Sequence, residues 1–469
     1  MMDYAEFLNA KAQHGTGEGF EPLWMPDFMF DFQGFLVDWA IRQGRGALFA
    51  DCGLGKGPME LVWAENVRRK TGRPVLLVAP LAVSFQLEEE ADKFGVDAAV
   101  SRDGSVTAGV TITNYERLEK FDTDKFGGVA CDESSAIKAF DGQRRAIVTE
   151  FLRRHQYRLL GTATAAPNDY TELGTSSEAL GYLGLMDMLT RFFVNKQKAM
   201  ADTKGRWRPS GTTYNGAVLH LRDNKWRFKG HAEDAFWRWV ASWARACRKP
   251  SDLGFEDNGF ILPPLEYRHH VVEARTLREG ELFERPANGL HEEREEARRT
   301  LQERCERAAE VLADAKPGVM WCHLNAEGDL LTKMIDGAVQ VSGSDSVEAK
   351  EEKLSAFGRG EIRVLVIKPK IGAWGLNWQH CHRVCYLPSH SYEQWYQAIR
   401  RCWRFGQQES VVVDVVTSEG GANMLANLEY KAAAADRMFD SLTAHMRDAL
   451  SIKRSEDFTE AIEVPSWMR

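Results

Sequence analysis

Two adjacent acids, Asp132 and Glu133, follow the short apolar run GVAC, and Lys56 ends a glycine-bearing turn, DCGLGK, that follows the run ALFA. Paired carboxylates at the end of a buried strand suit a division of labour. One holds Mg2+, usually through water, and the other orients an attacking water as general base. Gly53 and Gly55 let backbone amides approach phosphate oxygens with no side chain in the way, a following helix adds the partial positive charge of its N-terminus, and Lys56 can reach terminal phosphates. Taken singly, the loop reads as a structural turn and the acids as an exposed acidic bend. Together, each after a strand and in this order, they favour binding of ATP or GTP. One position departs from that chemistry. The residue after such a lysine is normally Ser or Thr, whose hydroxyl completes the magnesium site; here it is Gly57, followed by Pro58, which is comfortable in the first turn of a helix.

The elements that must carry these groups are legible as two series of short apolar runs. ALFA (47–50), VLLVAP (75–80), VTIT (110–113), GVAC (128–131) and YRLL (157–160) form the first. GVMWCHL (318–324), GAVQV (337–341), IRVLVI (362–367), HRVCYL (382–387) and VVVDVV (411–416) form the second. Each is short, β-rich and followed by polar or glycine signals, as buried parallel strands are, and helical patterns lie between them. The expected fold class is therefore α/β, with two parallel-sheet lobes. The ends of parallel strands are where open α/β sheets bind ligands, and both Lys56 and the acid pair fall there.

Between the two series, residues 191–230 carry ten Lys and Arg against two Asp, with Trp207 and Trp226 among glycine and polar residues. This segment reads as an insertion. Lys225, Trp226, Arg227 and Lys229 are its candidates for contact with a nucleic-acid backbone and bases, against the alternative of a folded protrusion with solvated lysines. In the next segment Phe236, Trp237, Trp239 and Trp243 recur at helical spacing and are expected to pack inward. Residues 274–316 read as a charged, solvated helix.

At 469 residues the chain suits two domains, and its composition, 44% hydrophobic and 27% charged, is that of globular proteins. Net charge is −8, so any contact with nucleic acid must be local. No run of about 18 apolar residues could span a membrane, and no secretory signal is evident, so an intracellular, cytoplasmic location is expected. Eight scattered cysteines make no disulfide framework and read as reduced thiols. The cluster QHCHRVC (379–385) lacks a second Cys/His pair at finger-like spacing and reads as ordinary core thiols and histidines.

Motif by motif, residues from about 30 to 417 resemble helicase superfamily two, and within it the Swi/Snf-type DNA translocases. FDFQGFLVDWA (30–40) resembles the adenine-reading segment, with Gln33 as its glutamine. ADCGLGK resembles motif one, LLVAPLAVSFQ motif one-a, TITNYE motif one-b, and DESSAIK the DEAH box, with Ser135 in place of its histidine. LLGTATAAPNDYTEL (159–173) resembles motif three and GAWGLNW (372–378) motif five. QAIRRCWRFGQ (397–407) matches the pattern QAxxRxxRxGQ at every fixed position: Gln397, Ala398, Arg401, Arg404, Gly406 and Gln407.

The resemblance implies two tandem RecA-like lobes: 1–175 as the ATP-binding lobe, 176–262 as a helical and basic insertion, 263–430 as the second lobe, and 431–469 as a helical tail. It implies ATP and Mg2+ as cofactors. Gln33, Gly53, Leu54, Gly55, Lys56 and Gly57 are the nucleotide-binding residues, Asp132 the metal residue and Glu133 the base, while Gln397, Arg401 and Arg404 act from the opposite lobe. The implied activity is DNA-dependent ATP hydrolysis coupled to movement on double-stranded DNA, and the compact form resembles bacteriophage-encoded members, which would place it in a host cytoplasm. Two alternatives accompany this reading: a nucleic-acid-binding module whose turnover Gly57 has disabled, and the motor subunit of a restriction-type complex. The family residue at position 57 is Thr, and a side chain there is expected to cost little if Gly57 has right-handed helical dihedrals.

Overall fold

The computed structural model describes residues 18–138, 142–166, 169–195, 212–214, 217–219, 226–276, 283, 285–287, 289–372 and 377–454. Two wholly parallel sheets organise them, as expected for an α/β chain with two parallel-sheet lobes. The first sheet contains β1 (Arg45–Ala50), β2 (Val75–Ala79), β3 (Ala98–Val100), β4 (Val110–Asn114), β5 (Gly128–Cys131), β6 (Tyr157–Gly161) and β11 (Ala244–Cys247) in the order β11-β1-β6-β5-β2-β4-β3. The second contains β12 (Leu265–Val272), β13 (Gly318–Trp321), β14 (Ala338–Val341), β15 (Val364–Ile367), β16 (Arg383–Tyr386) and β17 (Val411–Ser418) in the order β12-β17-β16-β13-β15-β14. Central strands such as β2, β5 and β15 are buried along their whole length, which is why they read as unbroken apolar runs rather than as alternating ones.

Three strands of these sheets, β3, β11 and β12, escaped the sequence reading, and all three are sheet edges. β11 lies within the segment expected to be an insertion, yet it pairs with β1 in the register Ala47↔Ala244 to Ala50↔Cys247. Its sequence, ARAC, carries an arginine that argues against a buried strand. Arg245 is accommodated because its guanidinium sits 4.4 Å over the ring of Trp39 and donates to the carbonyl of Ala244. β12 is mostly exposed and pairs with β17 alone, so its polar residues obey the half-solvated rule of an edge.

The helix Ala232–Trp243 delivers the chain to β11 and buries Phe236, Trp237, Trp239 and Trp243 in the first lobe, so these aromatics are core. Residues 274–316 differ from expectation. In place of one solvated helix, Gly289–Arg299 and Leu301–Val311 turn a face inward, with Glu296, Thr300 and Arg304 buried. Arg304 pairs with the equally buried Glu327 at 2.9 Å, and the Ser418 hydroxyl donates to Glu296. Ion pairing let charged residues occupy a core face that a solvated pattern would leave to water.

One helix, Ala422–Arg454, crosses the boundary expected at 430 and touches both lobes. Leu428 lies in the core of the second, while Met438, Phe439, Leu442 and Met446 lie in the core of the first. Arg248, just past β11, pairs with Asp436 and Asp440 on this helix. Among the described residues no helix is long and apolar enough to cross a membrane, and all eight cysteines are buried and free.

Trp243 is fully buried against Phe49, Tyr182 and Trp239, where the incoming helix meets β1. Trp243→Ala is expected to destabilise the first lobe by about 3–5 kcal/mol, read as a lowered midpoint in chemical denaturation.

Candidate functional site

The chain leaves β1 at Ala50 and turns through Asp51–Gly55 into the helix Lys56–Thr71, whose N-cap, Gly55, is left-handed at φ 77°. A side chain is excluded at two points of this turn. A β-carbon on Gly53 would lie 2.9 Å from the backbone nitrogen of Phe405 in the other lobe, and one on Gly55 would overlap the amide of Gln33. Gln33 spends both ends of its amide on local structure: Nε2 donates to the carbonyl of Leu54 at 2.8 Å, and Oε1 accepts from the backbone of Phe30. Its place is under the loop, which it braces. Lys56 curls back so that Nζ donates to the carbonyl of Ala50 at 3.0 Å. Burial works against its charge, but nearby Glu133, Asp132 and Asp51 more than offset this and raise its pKa.

Asp132 and Glu133 leave β5 at the same end of the sheet. The backbone of Asp132 is pinned by its N–H donating to Val78 and by the Tyr115 hydroxyl donating to its carbonyl at 2.6 Å, while its Oδ1 accepts from the backbone of Glu133. Glu133 has φ 46°, the one positive φ at a non-glycine residue among those described. Such a conformation costs about 1–3 kcal/mol and is kept where surrounding contacts dictate it. Here they do: Thr162 donates to Oε2 at 3.2 Å and Gln397 of the second lobe donates to Oε1 at 3.3 Å. Burial pushes the Glu133 carboxyl up to about 7, against the opposing pull of Lys56, and burial likewise raises Asp132.

The second lobe closes the site with the helix Tyr392–Ile399 and the turn beyond it. Arg401 is held in place by Gln397, to whose carbonyl and side-chain oxygen it donates at 3.1 and 2.8 Å. Burial, with Arg401 close by, lowers Arg404 to about 10, which leaves it cationic at neutral pH. Cys52, Gly53, Gly55, Lys56, Gly57, Glu90, Asp132, Glu133, Arg401 and Arg404 line one solvent-open cleft. The loop, the acid pair and the two arginines are thus gathered into a single space. Residues 373–376 of the motif-five segment, and Asn168, lie outside the described residues.

The basic candidates sit elsewhere. β10 (Trp226–Phe228) pairs antiparallel with β7 (Phe193–Asn195); Trp226 packs partly against the first-lobe core, Arg227 and Lys229 are exposed, and Lys229 donates to the carbonyl of Thr190. Lys225 lies outside the described residues.

Several site residues carried no signal of their own. Asp51 accepts from both Arg400 and the hydroxyl of Tyr396, forming a buried pair across the lobes. Arg400 occupies a variable position of QAIRR, so the pattern did not mark it. Phe405 stacks on Phe260, which meets Phe30 edge-on, so an aromatic cluster also bridges the lobes beside the loop. Glu90 stands within the polar run LEEEAD, which no motif marks.

Gly57 has ordinary helical backbone, as supposed, but a β-carbon there would collide with Glu90 Oε2 and come within 3.1 Å of Leu87. A threonine there requires the carboxylate end of Glu90 to swing aside and Leu87 to give slightly. For a divalent cation, the donor set fits: Asp132 and Glu90 supply hard oxygen ligands, and both carboxylate oxygens of buried Glu60, on the same helix as Lys56, have no hydrogen-bond partner among the described residues.

The sequence matches no family model and no curated protein. Among solved structures, the chain is similar to the Sulfolobus solfataricus SWI2/SNF2 ATPase core in complex with dsDNA, at a TM-score of 0.42 and 15% identity, over 93% of this chain and 98% of that one.

The Asp51–Arg400 pair generates a test of how the lobes are held. Arg400→Ala leaves a buried carboxylate without its partner, a change that costs about 3–5 kcal/mol at such sites. Small-angle scattering of this variant is expected to show a larger radius of gyration than the unaltered chain.

Proposed function

We propose that this chain is an ATPase whose active site is the cleft between the lobes, and that it uses hydrolysis to drive movement on double-stranded DNA. The observation that carries the ATPase reading is the convergence of Lys56, Asp132 and Glu133 from one lobe with Arg401 and Arg404 from the other around one space. In this reading the amides of the glycine turn and the helix N-terminus cradle the phosphate chain, and Lys56 faces the terminal phosphates. Asp132 would hold Mg2+, which would supply charge neutralisation at the phosphates. Glu133, held up to about 7, is suited to accept the proton of a water attacking the γ-phosphorus as the bond to ADP breaks. Arg401 and Arg404 neutralise the charge on the departing phosphoryl group. Gln397 ties the two halves, since it touches Glu133 with one end of its amide and Arg401 with the other.

Double-stranded DNA as the track is supported by the motif pattern, above all QAIRRCWRFGQ, and by the local excess of positive charge over 191–230 in an otherwise acidic chain.

Phosphate release measured with and without double-stranded DNA is expected to rise with DNA and to fall by about 10³-fold or more in Arg404→Ala and in Glu133→Gln. ATP binding without turnover on any nucleic acid would instead establish the chain as a binding module. For the basic segment, Arg227→Glu with Lys229→Glu is expected to weaken DNA binding and flatten the slope of log affinity against log salt by about 2, read by fluorescence anisotropy. Unchanged affinity and slope would leave β10 a structural hairpin strand.

A further inference from the structure

The collision at position 57 says where the missing chemistry went. Glu90 lies on the helix Leu81–Phe94, which follows β2, the strand next to β5 and hence next to the acid pair. Gln86, one turn earlier, donates to its Oε1 at 2.7 Å and so directs the carboxylate. The other oxygen, Oε2, stands where the β-carbon of a residue-57 side chain would be. Glu90 lines the same cleft as Lys56, Asp132 and Glu133, and its charge acts on Asp132 and on Arg404. Beneath them, Glu60 is 1% exposed with both carboxylate oxygens unpartnered among the described residues, and its Oε1 occupies the place of a side chain on Gly161, at the end of β6. Glu60 thus lies within the fields of Asp132, Glu133, Glu90 and Lys56. Among the described residues no three His, Cys, Asp or Glu side chains form a cage that could hold a metal ion alone. A cation there must be completed by phosphate and water oxygens, the usual arrangement for Mg2+ in nucleotide sites.

We propose that Glu90 replaces the hydroxyl absent at Gly57: its Oε2 is the protein oxygen, direct or through one water, that this cleft presents to a nucleotide-bound divalent cation. The inference rests on the reading of the cleft as an ATP site. A carboxylate in place of a neutral hydroxyl adds one negative charge beside the phosphates. Nucleotide binding should then depend steeply on the cation, because without it Glu90 repels the phosphate chain. Position 57 and residue 90 should also be mutually exclusive. A side chain at 57 needs the carboxylate of Glu90 displaced from its place in the cleft, and loss of Glu90 is repaired only by an oxygen at 57.

The test is equilibrium binding of a fluorescent ATP analogue to the full chain across a Mg2+ titration, with Mn2+ affinity read separately by electron paramagnetic resonance in the presence of a non-hydrolysable ATP analogue. Glu90→Gln, nearly isosteric, is expected to raise the Mg2+ concentration for half-saturation about tenfold or more, and to leave metal-free nucleotide binding unchanged or tighter. Gly57→Thr alone is expected to weaken cation-dependent binding. Gly57→Thr combined with Glu90→Ala is expected to recover it to within about threefold of the unaltered chain. If Glu90→Gln binds nucleotide with the same Mg2+ and Mn2+ dependence as the unaltered chain, Glu90 only fills space and the inference is overturned. If the unaltered chain binds no nucleotide at any Mg2+ concentration, the ATP-site reading itself fails, and the inference fails with it.

Discussion

A single buried ammonium organises the cleft. Lys56 is tethered to the carbonyl of Ala50 at the end of β1 and sits within the fields of Asp132 and Glu133. Those carboxyl groups are forced together by the sheet, because β1 and β5 end on the same side and the loops that follow can go nowhere else. Burial alone would drive each of them to hold its proton. Lys56 opposes that tendency, and the balance leaves Glu133 near neutrality with Asp132 raised for the same cause. The position of the lysine therefore sets the protonation chemistry of its neighbours.

The same economy of space governs the glycines. Gly53 lets the backbone of Phe405 approach, Gly55 admits the amide of Gln33, Gly57 admits Glu90 and Gly161 admits Glu60. At each point the absent side chain is occupied by a group from another element, and three of those four groups are polar side chains. Gly57 is thus one of a set of contacts through which the loop is filled from outside, and what looks in the sequence like a missing ligand is, in three dimensions, an occupied position.

Much of this was legible beforehand. The central strands declared themselves because burial on both faces leaves no room for alternation; the loop and acid pair stood out by their order after strands, and the two arginines only by the resemblance of QAIRRCWRFGQ to a family pattern. The less legible parts share a cause: their roles depend on which neighbour they meet. ARAC is a poor strand until Trp39 covers Arg245; Arg304 reads as solvated until Glu327 is placed opposite; Arg400 is an unremarkable basic residue until Asp51 faces it. Glu90 belongs to a run of three glutamates, Glu88, Glu89 and Glu90, and helical geometry alone decides which of them turns toward the cleft. A linear pattern records the spacing of charges and is silent about their partners.

The helix Ala422–Arg454 has a mechanical meaning. Its 33 residues make a rod of about 50 Å, seated by Leu428 in one lobe and by Met438 to Met446 in the other. A rod clamped at both ends forbids simple separation of the bodies it joins. Any opening of the cleft must roll the helix in one of its seats or flex it between them, so translation is converted into rotation about an axis near residues 432–438. Ala435, Asp436, Met438 and Phe439 line one pocket with Tyr396 and Arg400, so the pivot lies beside the Asp51–Arg400 pair, and a small angular change there becomes a larger linear displacement at the lobes' far ends.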